Sequence, residues 1–271
     1  MPDHRKGRVF FMDNTVYGYV VYGATVAGCA AALSLAARGQ RVLLIEPGGV
    51  IGCDYVSAYR GDGRGFFCRP ATAAGEDFKD ELCRRGALNE RGEHLPAVAP
   101  VLCRRLCESA VVTLCRSRIA DGDLAALSGA SGGEPIGFSV FTTGGWLTLS
   151  ALRFIDMRVD ADVLRAHTLN AVLSIPPEDG AQLPDGVIRG ALPGEGYASF
   201  AVPQQLSLRE AKRWVYEHRF AVASDGNDNG ILIDCIAEAF DFDSECRNAV
   251  EAFDSGAALA ARLSGGGDGN E

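Results

Sequence analysis

Tyr17-Gly-Tyr-Val-Val-Tyr-Gly-Ala-Thr-Val-Ala-Gly-Cys-Ala-Ala-Ala-Leu-Ser-Leu-Ala-Ala-Arg-Gly-Gln-Arg-Val-Leu-Leu-Ile-Glu46 reads as strand, turn, helix and second strand within about thirty residues. Aromatic and β-branched residues dominate Tyr17–Tyr22, as a buried strand requires. Ala and Leu dominate the segment after Gly28, where helix propensity is high, and Gly39 stands where a helix needs a left-handed C-terminal residue. The turn Gly23-Ala24-Thr25-Val26-Ala27-Gly28 has the spacing of the Gly-x-Gly-x-x-Gly dinucleotide fingerprint with Thr25 at the middle glycine. A helix N-terminus after such a turn offers unpaired N–H groups and a positive dipole end to a diphosphate. Glu46 closes the second strand eighteen residues after Gly28, the position from which a carboxylate accepts the hydroxyls of an unphosphorylated adenosine ribose; this favours FAD or NAD(H) over NADP(H). An ordinary strand–helix–strand unit without a ligand is the plain alternative.

The rest of the composition narrows the class. The chain has 271 residues, enough for one or two domains with a real core, and its hydrophobic share of 47% and charged share of 23% are those of a folded globular protein. Its net charge of −9 speaks against a nucleic-acid surface, which needs clustered Lys and Arg. The nine cysteines include no Cys-x-x-Cys and no zinc-like Cys/His spacing, so free thiols in a reducing cytoplasm are expected and no metal. Arg5, Lys6 and Arg8 ahead of the uncharged stretch from Asn14 to Ala37 also permit an export signal, with Val26-Ala-Gly-Cys29 like a lipoprotein cleavage box. Asp13, the glycines at 18, 23 and 28, and the strand that follows favour the strand–turn–helix reading, without a membrane span.

Further along, helices are expected at 76–85, 102–109, 208–216 and 248–263, and strands at 111–117 and 220–223. Three apolar runs, 135–141, 146–149 and 152–156, predict a β-meander, with a hairpin turn at Thr142-Thr-Gly-Gly145. Pro96–Pro100 reads as a break, the proline-rich 176–196 as loop, and 264–271 as a loose tail.

Val21–Leu33 with Arg41–Pro47 resembles the start of FAD-dependent oxidoreductases of the glutathione-reductase-like superfamily. One family there carries Gly-(Gly/Ala)-Thr-Pro-Ala-Gly, which makes Thr25 a family feature and Val26 a departure. The resemblance implies an α/β fold: a Rossmann-like FAD-binding domain with a parallel sheet and β-meander, plus a reduced second region. It divides the chain into a lead-in (1–15), a discontinuous FAD-binding domain (16–162 with 215–263), a short substrate or cap region (163–214) and a tail (264–271). Gly52-Cys-Asp-Tyr-Val-Ser-Ala58 matches the family's loop beneath the flavin but keeps only Gly52 and Ser57. Leu152–Asp162 is similar to the strand whose Ala-Thr-Gly turn passes the dinucleotide; Met157-Arg158-Val159 replace that turn between Asp156 and Asp160. Phe220–Gly226 looks like the C-terminal strand whose acid, here Asp225, holds the ribityl–phosphate region. Gly226, Gly230 and Ile231 follow it, ahead of a helix containing Gly256.

FAD is therefore the expected cofactor, held by Gly23, Ala24, Thr25, Val26, Ala27, Gly28, Glu46, Pro47, Gly52, Asp156, Asp225, Gly226, Gly230 and Ile231. Cys53, Asp54 and Tyr55, beside the flavin face, are the candidates for chemistry by side chains, with a buried structural thiol the plain reading of Cys53. His94, His167 and His218 have no local partner for a general base, and Arg60 and Arg158 read as surface ion pairs before substrate anchors. The expected activity is hydride transfer to or from a small metabolite, of the kind found in specialised metabolism, by a homo- or hetero-oligomer. The competing expectation is a non-catalytic flavin-fold subunit that completes the site of another chain.

Overall fold

The structure, a computed structural model, describes residues 15–159, 168–178, 180, 182–218, 231–241 and 245–265. The opening unit forms as the pattern demands: β1 (Val16–Tyr22), α1 (Val26–Ala37) and β2 (Val42–Glu46). A single turn of helix, α2 (Cys53–Val56), follows, then α3 (Ala73–Arg84), the small hairpin β3 (Leu88–Asn89) and β4 (Gly92–Glu93), and α4 (Val98–Cys107). Next come β5 (Val112–Cys115), β6 (Arg118–Ile119), α5 (Asp121–Ser128), and the long hairpin of β7 (Ser131–Thr142) and β8 (Gly145–Asp156). The remaining elements are β9 (Thr168–Ser174), β10 (Val187–Arg189), β11 (Glu195–Ala201), α6 (Leu208–His218), β12 (Leu232–Ile236) and α7 (Ala249–Gly265).

Six strands make the main sheet in the order β5-β2-β1-β8-β7-β6. The first four run parallel and the last two are antiparallel additions at one edge. This is the α/β, Rossmann-like arrangement expected, with a second, antiparallel sheet in the order β10-β11-β9-β12. Alternation along β2 divides its residues between two cores. Val42 and Leu44 face α1, α3, α4 and α7, whereas Leu43 and Ile45 face the β6–β8 side with Leu127 and Phe138. Phe78 of α3 stacks on Phe253 of α7 at 4.1 Å, with the Arg105 guanidinium of α4 over both rings, so three helices are pinned together on one face of the sheet.

Several local expectations are corrected. The apolar runs 146–149 and 152–156 form one strand, β8, because Ser150 pairs within the ladder and does not interrupt it. The 176–196 stretch, read as loop, contains all of β10 and the start of β11. Its prolines lie outside both strands, so no ladder donor is lost. Pro96–Pro100 does not break the chain. Pro96 sits in a 3-10 turn and Pro100 in the first turn of α4, where proline's missing N–H costs nothing. Ser264 and Gly265, placed in the tail, complete α7. The strand expected at 220–223 lies outside the described residues.

Candidate functional site

The site is built around the β1–α1 turn. Gly23 has φ +111°, and a Cβ there would stand 2.6 Å from the Arg158 backbone nitrogen, so both its conformation and its space exclude a side chain. A Cβ on Gly28 would meet the Gly23 carbonyl oxygen at 2.2 Å, so the third glycine of the fingerprint lets α1 press onto the strand end. Thr25 is the N-cap of α1: its Oγ1 accepts the Gly28 N–H at 3.0 Å. The middle position of the fingerprint therefore serves the helix first.

Two buried carboxylates meet at this helix end. Glu46 accepts the Ala24 N–H at 2.7 Å through Oε2 and the Gly48 N–H at 2.7 Å through Oε1. Asp54, from α2, accepts the Val26 N–H at 2.9 Å through Oδ1 and 3.2 Å through Oδ2. Burial pushes the Asp54 carboxyl up to about 7, although the Val26 N–H and the Arg60 guanidinium pull the other way. Gly52 holds α2 in place: its N–H bonds the Ala24 carbonyl at 2.7 Å, and its φ of +70° lets the chain turn into the helix.

Beside the turn lies a cavity of about 320 Å³. Glu46 and residues 48–50 form one wall, Cys53, Asp54, Ser57 and Ala58 another, and Val159 with Glu238–Phe240 close it. Among the described residues that line it, three are carboxylic acids and none is Lys, Arg or His. The backbone of α2 is stitched to the second sheet's flank, where the Ser57 carbonyl accepts the N–H groups of Glu238 and Ala239. A larger cavity of about 500 Å³ lies at the other end of α1, near Leu33 and Ala37. Its Arg104 and Arg105 are engaged by Glu81, Asp77 and Glu108, and a helix C-terminus does not attract anions. It is no counterpart of the cradle.

The expected site residues separate into groups. The 23–28 turn, Glu46 and Gly52 come together; Pro47 follows Glu46 in the chain but is not among the residues that line the cavity. Asp156 is half-exposed at the end of β8 and is paired with Arg158 at 2.6 Å, outside the cavity lining. Ile231 packs against the core of the second sheet. Asp225, Gly226 and Gly230, with Asp160 and Asp162, lie outside the described residues. Of the three side-chain candidates, Cys53 lines the cavity, but burial raises its thiol to about 12, which keeps it protonated and unreactive. Tyr55 points away, donating to the Cys246 carbonyl at 3.0 Å and meeting Arg60. Asp54 is a partner of the turn itself. Residue patterns alone did not reveal that contact, or the part of Val159 and Glu238; the one available signal was a second acid, Asp54, soon after Glu46.

Among curated protein sequences none matches this chain. Solved structures with similar folds include the myxobacterial chondrochloren halogenase CndH, a variant of FAD-dependent halogenases, at 15% identity and TM-score 0.54, covering 93% of this chain and 76% of that one. Aklavinone-11 hydroxylase, solved with FAD and aklavinone, matches at 13% identity and TM-score 0.52 over 93% of this chain; this chain spans 63% of its length. Glycine oxidase from Bacillus cereus ATCC 14579 matches at 10% identity and TM-score 0.53, covering 92% and 95%. At these identities the likeness is one of fold. Among the described residues no helix is long and apolar enough to cross a membrane. The profile of the family described as FAD dependent oxidoreductase matches residues 19–221, three quarters of the sequence, and the chain belongs to that family.

Proposed function

We propose that this protein is an FAD-dependent oxidoreductase that moves a hydride to or from a small metabolite, with the coenzyme's adenosine diphosphate end at the β1–α1 turn. The observation that carries the reading is that the Glu46 carboxylate, which lines the cavity, is also hydrogen-bonded to the β1–α1 turn whose spacing is that of the dinucleotide fingerprint. Glu46 uses one lone pair of each oxygen on Ala24 and Gly48, and a carboxylate retains further acceptor sites for ribose hydroxyls. The flavin, when bound, supplies the two-electron chemistry. The chain's own residues shape the place for it: Gly23 and Gly28 let the chain after β8 and the start of α1 pack closely at the turn, Thr25 caps the helix, and Glu46, residues 48–50, Asp54 and 238–240 line the cavity beside it. Asp225, Gly226 and Gly230 belong to this proposal on resemblance alone.

Purified protein mixed with FAD is expected to retain the flavin's visible absorbance through gel filtration. E46A is expected to weaken FAD binding at least about tenfold, the equivalent of about 1.4 kcal/mol. Unchanged affinity in that variant removes Glu46 from the ribose.

One observation favours a second reading. The cavity is near the small end of the range of about 300–1,000 Å³ for small-molecule sites, and its acids oppose a diphosphate. A subunit that completes a flavin site only with another chain has this character. Flavin retained only after co-expression with a partner, and never by the chain alone, decides for it.

A further inference from the structure

Glu46 holds the turn at Ala24; Asp54 holds it at Val26, the first residue of α1, and so reaches the helix end itself. It comes from a separate one-turn helix 28 residues beyond Val26, and it is 7% exposed. Both of its oxygens face the Val26 N–H. Val26 is the first residue of α1, and its amide is one of the N–H groups that no helical carbonyl can satisfy and that make a helix end an anion site. A carboxylate presents to such an amide the same charge sign and the same acceptor oxygens as a phosphate. The bond from Gly52 to the Ala24 carbonyl, and those from Glu238 and Ala239 to Ser57, brace α2 on both sides, so the fold itself delivers Asp54 to this point.

We propose that Asp54 sets the affinity of the coenzyme site: its carboxylate occupies the helix end that the diphosphate would take, and the coenzyme binds by displacing it. The inference rests on the reading that α1 holds the diphosphate of FAD. It concerns the binding step alone. Two like charges do not share one amide, so the ligand-free protein holds its own anion in the cradle and binds FAD more weakly than the turn by itself would allow. D54N keeps an oxygen acceptor for Val26 but removes the charge; D54S removes the reach as well.

The test measures FAD binding by flavin fluorescence quenching and ADP binding by calorimetry, on the full chain and both variants, with a thermal melt of each to establish folding. ADP carries the diphosphate without the flavin, so its arm reads the helix end directly. The expected result is tighter binding of both FAD and ADP by D54N, at least about tenfold, with D54S changed in the same direction. Binding by a variant where the unaltered chain binds nothing measurable supports the proposal equally. Unaltered chain and variants that bind FAD with the same affinity, or variants that bind it more weakly, overturn the proposal and leave Asp54 a helix cap. If neither the unaltered chain nor any folded variant binds FAD or ADP, the reading of the cradle as a coenzyme site falls, and the proposal with it.

Discussion

Replacing Gly256 by alanine is expected to destabilise the protein by about 1–2 kcal/mol, although alanine is the better helix former by about 1 kcal/mol. Gly256 lies in the middle of α7, where α7 crosses the first turn of α1. A Cβ at this position would stand 2.0 Å from the Ala27 carbonyl oxygen and 2.7 Å from its carbonyl carbon. The obstacle is backbone, which cannot rotate aside, so the two helices must separate. Forcing atoms into a packed core costs about 1–3 kcal/mol or more, enough to outweigh the helix-propensity gain. G256V adds two methyl groups at the same point and is expected to cost about 4 kcal/mol. At Gly265, at the end of the same helix, a Cβ would meet nothing within 4 Å, and G265A is expected to be neutral or mildly stabilising. Urea midpoints of the three variants check this, and the sign of the G256A change separates packing from propensity. Because Ala27 belongs to the cradle helix, G256A is also expected to weaken FAD binding while G265A leaves it unchanged.

The second large effect is in pH. Stability is expected to rise as pH falls from about 8 to about 5.5. Two carboxyls have folded-state values raised by burial: Asp54, at about 7, and Glu93, also at about 7. The groups facing Asp54 are Glu46 of β2, Cys29 of α1, its neighbours Cys53 and Tyr55, and Arg60. Those facing Glu93 are the Gly65 N–H, Asp62, Glu251 and Tyr197. A raised acid binds its proton in the folded state at pH values where the unfolded chain, titrating near 4, has released it. Folding then takes up protons, so stability decreases with rising pH through the folded value and is flat above it. Over this window each group contributes about 2 kcal/mol. Glu81 has the opposite sign: burial works against its charge, but hydrogen bonds from Arg104, Arg105 and Arg85 hold it down at about 2. Its stabilisation is complete above the unfolded value near 4.5 and is lost only as pH falls further, so it is silent between about 5.5 and 8. Urea titrations at the two pH values check the slope, and E93Q is expected to remove about half of it. A stability that is level or rising towards pH 8 would show that both carboxyls are ionised in the fold.

How much of this was legible in the sequence varies with the range of the interactions concerned. The β1–α1–β2 unit was readable because each of its signals is local: branched and aromatic residues for the strand, alanines for the helix, Gly23 for a positive φ, Gly39 for the exit. The hairpin turn before Gly145 was readable for the same reason. The merging of two apolar runs into β8 was not, since Ser150 looks like an interruption until a neighbouring strand supplies its ladder partner. Nor were β10 and β11, whose prolines suggest loop until their places outside the ladder are known.

The candidate site shows the same division. Periodicity, turn glycines and the acid at the end of β2 mark an α/β chain whose first turn has the spacing of a dinucleotide fingerprint, because a helix end and a positive-φ turn are properties of a few consecutive residues. What packs against and tightens that turn depends on residues far apart in the chain. Asp54 reaches Val26 across 28 positions, Gly256 meets Ala27, and Glu238 closes the cavity beside Glu46. Each of these contacts exists only because the sheet and its helices bring separate segments within a few ångströms, and no short-range pattern records where a folded backbone will return.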